Sequence, residues 1–473
     1  MASGARSARL ARLLAATGLL VAACASTPAP TPVIGSPGGT SAASVPADPA
    51  SAGPASSPTV APTATATIVA TSPIAGSGAI ALLGVDGGLV IVGAEGRSVP
   101  LASARDGTFT FPAWSPDGTR LAAVHYGHTS NELIVFDDAQ HPSGGTPTTL
   151  LDSPEIAPFY LSWSPDGRRV SYLATIGSDL SLRQAPADGS APTDGSGTDA
   201  TIGAGSPFYY DWLSPDRLLV HIGTGTEALI GELGLDGDPV GPPFGPAGAF
   251  RPAVVSSGGS VAYVRGEGAD GEVVIVADDG TTEHTMPVAG PAAMNFDPRG
   301  ELLAAIGSLE PVDPSLAIPV GPLRVLDPTS GAVRTLLDGA VVSFWWSPDG
   351  RTIAALRVQR APGGASASPS TPPAGGASPT PPANEIRLLF VDVATGDITA
   401  QPIVQPGQVF VDQLLPYFDQ YALSHDLWAP DSSSILLPAV DATGLPKVSL
   451  IPRDGSPPVE LDGVIGFWSP AGA

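Results

Sequence analysis

The sequence predicts an all-β fold, a closed β-propeller of four-stranded blades, and three observations carry that prediction. First, all seven tryptophans lie in copies of one short motif. It reads Trp-Ser-Pro-Asp-Gly from Trp114, Trp163 and Trp346, the last preceded by Trp345, and it is shortened or varied at Trp212, Trp428 and Trp468. A copy with Phe for Trp begins at Phe296, and a worn one at Val255. A spacing of about 40–50 residues between units of short strands is the signature of a propeller. Second, each copy is followed by a short apolar run (121–124, 170–173, 218–222, 261–264, 302–306, 353–356, 435–437) and then by further strand-like runs and an Asp-Gly or similar turn. Third, the two ends complement each other. Residues 78–101 read as three strands without an inner one, and residues 464–468 read as an inner strand without a blade. Pairing them would remove the last free edges.

Taken in order, inner strands are expected near 114, 163, 212, 255, 296, 346 and 428. With a closing blade shared by the N- and C-terminal strands they make eight blades, or seven if the worn copy near 255 is misread. Asp-Gly and Pro-Asp-Gly provide the positive or preset φ that tight hairpins need. The apolar runs are nearly continuous, which suits sheets covered on both faces. The motif tryptophan is expected to be an apolar wedge between neighbouring blades.

Composition agrees. Of 473 residues only 14% are charged, with 57 Gly and 53 Pro, a strand-and-turn profile. The net charge of −24 argues against nucleic acid and against adsorption to anionic lipid. Arginine supplies the basic residues apart from Lys447.

Before the propeller, residues 1–23 read as a leader. Arg6, Arg9 and Arg12 precede an apolar stretch at 13–23 that is too short to span a bilayer. It ends Val21-Ala22-Ala23-Cys24. This resembles the lipobox of bacterial lipoproteins, and the resemblance implies lipidation of Cys24 and removal of the leader; the alternative is an ordinary signal peptide with an incidental Cys. Cys24 is the sole cysteine, so no internal disulfide and no Cys metal site is expected. The remaining linker, 24–75, is rich in Ala, Pro, Thr and Ser and reads as a disordered tether to the extracytoplasmic face of the cell membrane. A similar tract at 361–384 reads as a disordered insertion in a hairpin loop of the 76–473 propeller, and 188–205 as a milder one.

No nucleophile elbow, phosphate loop, zinc motif or calcium loop occurs. No metal and no cofactor is expected. His125, His128 and His221 are scattered; His125 and His221 end equivalent strands and could approach one face, but satisfied structural histidines are the simpler reading. The segment the repeat does not explain is 410–428. It sets Tyr417, Phe418 and Tyr421 beside Asp412, Asp419, Gln420, Ser424 and His425. Loops feeding inner strands open on a propeller's centre. Asp412, Tyr417, Asp419, Gln420, Tyr421 and His425 are therefore candidate ligand- or partner-binding residues, and the alternative is a wedge or short helix that plugs the centre. The aromatic runs at 158–160 and 207–212 would line the same space or pack in the core.

The Trp-Ser-Pro-Asp-Gly repeat followed by an apolar strand resembles the WD40-like PD40 repeat of TolB-type propellers, over essentially all of 78–473. The resemblance implies the fold and assigns no binding residue. TolB-type proteins carry an additional N-terminal domain where this chain has a linker, so their role does not transfer. Three functions remain in view: a non-catalytic, monomeric propeller that binds an envelope protein, peptide or glycan; a solute-binding or sensing lipoprotein working with a membrane transporter or sensor; and a hydrolase or lyase using Asp419 and His425 as acid and base.

Overall fold

The motif's first task is to turn the chain. At the Trp114 copy, Ser115 N donates to Arg120 O (2.9 Å) and Gly118 N to Ser115 O (2.8 Å). The Asp117 carboxylate accepts from the Ser115 hydroxyl at 2.5 Å and from Thr119 N at 3.1 Å. The Ser115 hydroxyl accepts from Arg120 N at 2.9 Å. Serine and aspartate thus lock the turn through their side chains, and Gly118 takes a φ of +68° that a side chain would strain. The same serine–aspartate bond recurs at Ser164–Asp166 (2.7 Å) and Ser347–Asp349 (2.6 Å). In the phenylalanine copy, Asp297 takes the serine's place and accepts from Glu301 N and Leu302 N, each at 2.7 Å.

A computed structural model describes residues 76–470, apart from 142–146, 178, 195–200, 225–227, 245–250, 267, 278–279, 311–317, 361–383 and 403. The leader, Cys24, the linker up to residue 75 and the insertion 361–383 lie outside the described residues. Among those residues, the strands form seven antiparallel sheets. The first joins Ile80–Leu83, Leu89–Val92 and Ser98–Ala102 to the C-terminal Ile465–Trp468, with Ile80 opposite Trp468 and Leu83 opposite Ile465. The second runs from Thr108–Trp114 to Thr148–Ser153, the third from Ile156–Trp163 to Thr201–Ala204, and the fifth from Val254–Val255 to Glu283–Pro287. The fourth (Phe208–Ser214 to Leu229–Gly234) and the seventh (Ser434–Val440 to Val459–Leu461) have three strands each. The sixth has seven, from Ala292–Phe296 to Ile398–Ala400.

This corrects the sequence expectation of a closed propeller of uniform four-stranded blades. The sheets number seven, hold three to seven strands, and none closes on itself. Three local causes account for the irregularity. Val333–Trp346 is one uninterrupted strand of 14 residues, so the Phe296 and Trp346 copies share a sheet. After Leu229–Gly234, the sequence Gly241-Pro242-Pro243 supplies two residues without N–H donors, and among the described residues the isolated bridge Leu233↔Pro239 and scattered bonds from Val240 N and Phe244 N replace a fourth strand. Before Ser434–Val440, the chain is helical, and Trp428 makes only an isolated bridge to Ile435. The tract 188–205 is corrected as well: Thr201–Ala204 is a strand paired to Asp179–Pro186.

Six of the seven tryptophans are buried and Trp346 is half-buried, as wedges would be, and five of the indoles also have a polar task. Trp163 Nε1 donates to Ala113 O (2.9 Å), Trp114 Nε1 to Phe467 O (3.1 Å), Trp346 Nε1 to Asn295 O (3.1 Å) and Trp428 Nε1 to Trp345 O (3.2 Å). Every acceptor is the residue just before the aromatic of the preceding motif copy. Trp212 reaches the equivalent carbonyl through a relay: its Nε1 donates to Ser171 Oγ (3.1 Å), which donates to Ser162 O (3.0 Å). Where Val255 replaces the indole, the link is reversed in kind, and the Asp211 carboxylate accepts from Val255 N at 3.1 Å. Neighbouring repeats are therefore tied by directional bonds in a dry interior, where an unpaired carbonyl would be costly.

Candidate functional site

The centre of the fold is organised by residues 410–428. Phe410, Leu414 and Phe418 recur every four residues and are buried, while Asp412 and Gln413 are exposed. That is helical periodicity, and the chain folds as successive short helical turns over Phe410–Leu414, Leu415–Tyr417 and Phe418–Tyr421. Gln408 Nε2 donates to Asp412 Oδ2 at 2.6 Å near the start, and His425 N donates to Tyr421 O at 2.8 Å near the end.

Besides the bridge from Trp428 to Ile435 in the seventh sheet, this segment touches strands of five others. Tyr160 of the third sheet donates its hydroxyl to Gln420 O (2.8 Å), and Gln420 Nε2 donates to Tyr210 O of the fourth (2.8 Å). Asn295 of the sixth donates to Asp419 O (3.3 Å). His425 Nε2 lies 3.3 Å from Phe111 O of the second sheet, and its ring centroid is 4.7 Å from that of Phe467 in the first. Phe418 packs edge-on to Phe344 and Trp345, with centroids 5.5 and 5.7 Å away. Tyr421 stands edge-on to Phe111 (5.1 Å) and Tyr160 (5.4 Å).

The six candidate residues divide into two groups. Asp419, Gln420 and His425 are buried and Tyr421 is half-buried. Asp412 is exposed, and Tyr417 is 50% exposed, its ring 6.5 Å from that of Tyr209. The structure brings the first group into the packed centre and leaves the second on the outer surface of the segment.

Burial sets the electrostatics. Desolvation pushes the Asp419 carboxyl up to about 6 against the pull of the Arg251 guanidinium. Desolvation likewise brings the His425 imidazole down to about 4, so the ring is neutral. With its Nε2 proton directed to Phe111 O, its Nδ1 accepts from the Ser424 hydroxyl at 2.7 Å. Both ring nitrogens are thereby occupied, neither by Asp419, so the two residues do not form the hydrogen-bonded acid–base pair considered from sequence. Asp211 is pushed up to about 7 by burial, opposed by donors from Val255 N and Trp212 N.

The scattered histidines do not meet. His125 sits between Glu132 Oε2 (3.1 Å) and Ala104 O (2.7 Å), whereas His221 bonds Arg251 O at 2.8 Å. Among the described residues, no group of three His, Cys, Asp or Glu side chains could hold a metal ion. Reading the sequence missed Phe111, Asn295, Phe344 and Phe467 as partners of the segment, because each lies in an ordinary-looking strand. The fourfold spacing of Phe410, Leu414 and Phe418 was a usable signal for the helical turns. A separate recess of ≈ 400 Å³ opens between the first and second sheets over Phe109, Ile134 and Phe136, with Arg105 and Glu132 paired at 2.8 Å on its rim.

No protein-family model and no curated protein sequence matches the chain. Solved structures do. The dihydro-heme d1 dehydrogenase NirN is 12% identical with a TM-score of 0.50, over 84% of this chain and 77% of that one. A structure from a study of two prolyl endopeptidases is 11% identical with a TM-score of 0.48, over 77% of this chain and 50% of that one. TolB from Acinetobacter baumannii is 14% identical with a TM-score of 0.37, over 85% and 68%. At such identities the likeness concerns the fold and singles out no one family. The chain is an all-β protein of the general propeller type, with a helical segment built into its centre.

Proposed function

We propose that the chain is a non-catalytic binding protein of the bacterial cell envelope, anchored by lipid on Cys24 and presenting the outer surface of 410–428 to a protein, peptide or glycan. The observation that carries this reading is the occupation of the centre. Phe418 is fully buried, and His425 has both ring nitrogens engaged by Ser424 and Phe111. The polar and aromatic groups left outside include Asp412 and Tyr417. An aromatic ring with a polar tip beside a carboxylate suits contact with a partner. The basic n-region and Val21-Ala22-Ala23-Cys24 support the anchor, although one lipid chain alone would hold a protein only marginally, so at least two are required.

Two arms test it in intact cells. A photo-crosslinking residue at Tyr417 should give discrete adducts that the same residue at Ile398, 47% exposed on an outer strand, does not give. Equal labelling at both positions would refute the binding surface. Cys24→Ser should move the protein from the membrane to the soluble fraction, and retention in the membrane would refute the lipid anchor.

A further inference from the structure

Strand Gly321–Leu326 carries a charged side chain into the interior. Arg324 is 4% exposed, and its Nε and Nη2 are out of contact with solvent and have no acceptor among the described residues. Its cross-strand neighbours are Ala305 and Thr335. Ala305 belongs to one apolar cluster with Leu326, Met286 and Ile275, which turns this face of the strand toward the fifth sheet. That sheet supplies a second unsatisfied nitrogen. His284 and Met286 share a face of Glu283–Pro287, and His284 Nε2 is also buried without a partner among the described residues. The His284 ring abuts the turn that follows Arg324's strand: a Cβ on Gly331 would lie 2.5 Å from its Nδ1. Asp327 in that turn is held mainly by Ser330 N (3.1 Å) and Thr329 N (2.8 Å), with a lesser electrostatic pull from the His284 ring.

A guanidinium keeps its proton in a protein, and a buried charge without a counterion is strongly unfavourable. Desolvation, with no acidic neighbour among the described residues to offset it, presses Arg324 below the usual arginine range. A planar fork of donors suits carboxylate, sulfate or phosphate oxygens.

We propose that the seam between strands Glu283–Pro287 and Gly321–Leu326 is a binding site for a small oxyanion, held by the Arg324 guanidinium with His284 Nε2 as the second donor. The site is independent of the partner surface at Tyr417. The oxyanion is an inorganic ion or the carboxylate of a small metabolite, and one experiment separates the two.

Thermal melts of the full chain are recorded in sodium phosphate, sodium sulfate and sodium acetate against sodium chloride at equal ionic strength. The wild type should show a saturable rise in Tm above the chloride response. A larger rise in phosphate or sulfate marks an inorganic ion, and a larger rise in acetate marks a carboxylate. Arg324→Met, similar in length and uncharged, should keep the chloride response alone, and His284→Gln should weaken the apparent affinity roughly tenfold. An increment in Arg324→Met equal to that of the wild type overturns the proposal, as does a wild type indifferent to all three anions. If Arg324→Met does not fold, calorimetric titration of the wild type with phosphate and acetate decides: saturable heat supports the site and its absence overturns it.

Discussion

At the scale of single residues, the indole N–H groups distinguish otherwise similar tryptophans. Trp163 donates to Ala113 O at 2.9 Å, whereas buried Trp468 has no acceptor for its Nε1 among the described residues. Trp163→Phe leaves a buried carbonyl unpaired and should cost about 1–3 kcal/mol beyond the packing change. Trp468→Phe removes a donor that was already unpaired and should cost less than Trp163→Phe, as read from urea unfolding. Equal costs would show that the indole bonds contribute nothing. Sequence made the burial of these residues legible, since a large aromatic at a fixed place in a repeat has few other uses. It hid the bonds, because their acceptors are main-chain carbonyls that any residue supplies.

Asp211 yields a pH prediction. Burial pushes its folded pKa up to about 7 from the usual 3.8. Between those values the folded protein holds a proton that the unfolded chain has released. The contribution to stability is complete below 3.8 and is lost as pH rises through about 7. Tm should therefore fall between pH 5 and pH 8 by more in the wild type than in Asp211→Asn. An unchanged slope in the variant would contradict the assignment. His425 acts oppositely. Its lowered value, about 4, means that stability present above 6.5 is lost as pH falls toward 4.

At the scale of elements, the segment 410–428 behaves as part of the core. Phe418 is fully buried against Phe344 and Trp345. Phe418→Ala should destabilise the fold by about 3–5 kcal/mol, while Tyr417→Ala, on the exposed side, should change stability by only about 0.5 kcal/mol. Denaturant midpoints compare the two directly, and similar losses would remove the distinction between the two faces. The strands themselves were legible, because apolar runs between Asp-Gly turns announce them. The sheet boundaries were not. Whether Val333–Trp346 breaks or runs on depends on the neighbouring strands, to which Val341 pairs on both sides, with Gly321 and with Arg357. The role of 410–428 was legible only as a choice between ligand surface and plug, since the partners of its buried polar groups come from strands as distant in sequence as Phe111 and Phe467.

At the scale of the whole molecule, the first and last described strands share the first sheet, indole and carboxylate bonds tie successive repeats, and 410–428 joins strands of six sheets through its backbone and aromatic side chains. Non-local contacts of this kind make folding slow relative to helical proteins of equal length, but they place the centre among the last regions to open. Backbone amide hydrogen exchange of the native protein, resolved by peptide, tests this most directly. Peptides covering 418–428 should be protected as strongly as those covering Leu121–Tyr126 and should exchange only on global unfolding. Exchange at the rate of the exposed loops, with the strands still protected, would contradict a built-in centre.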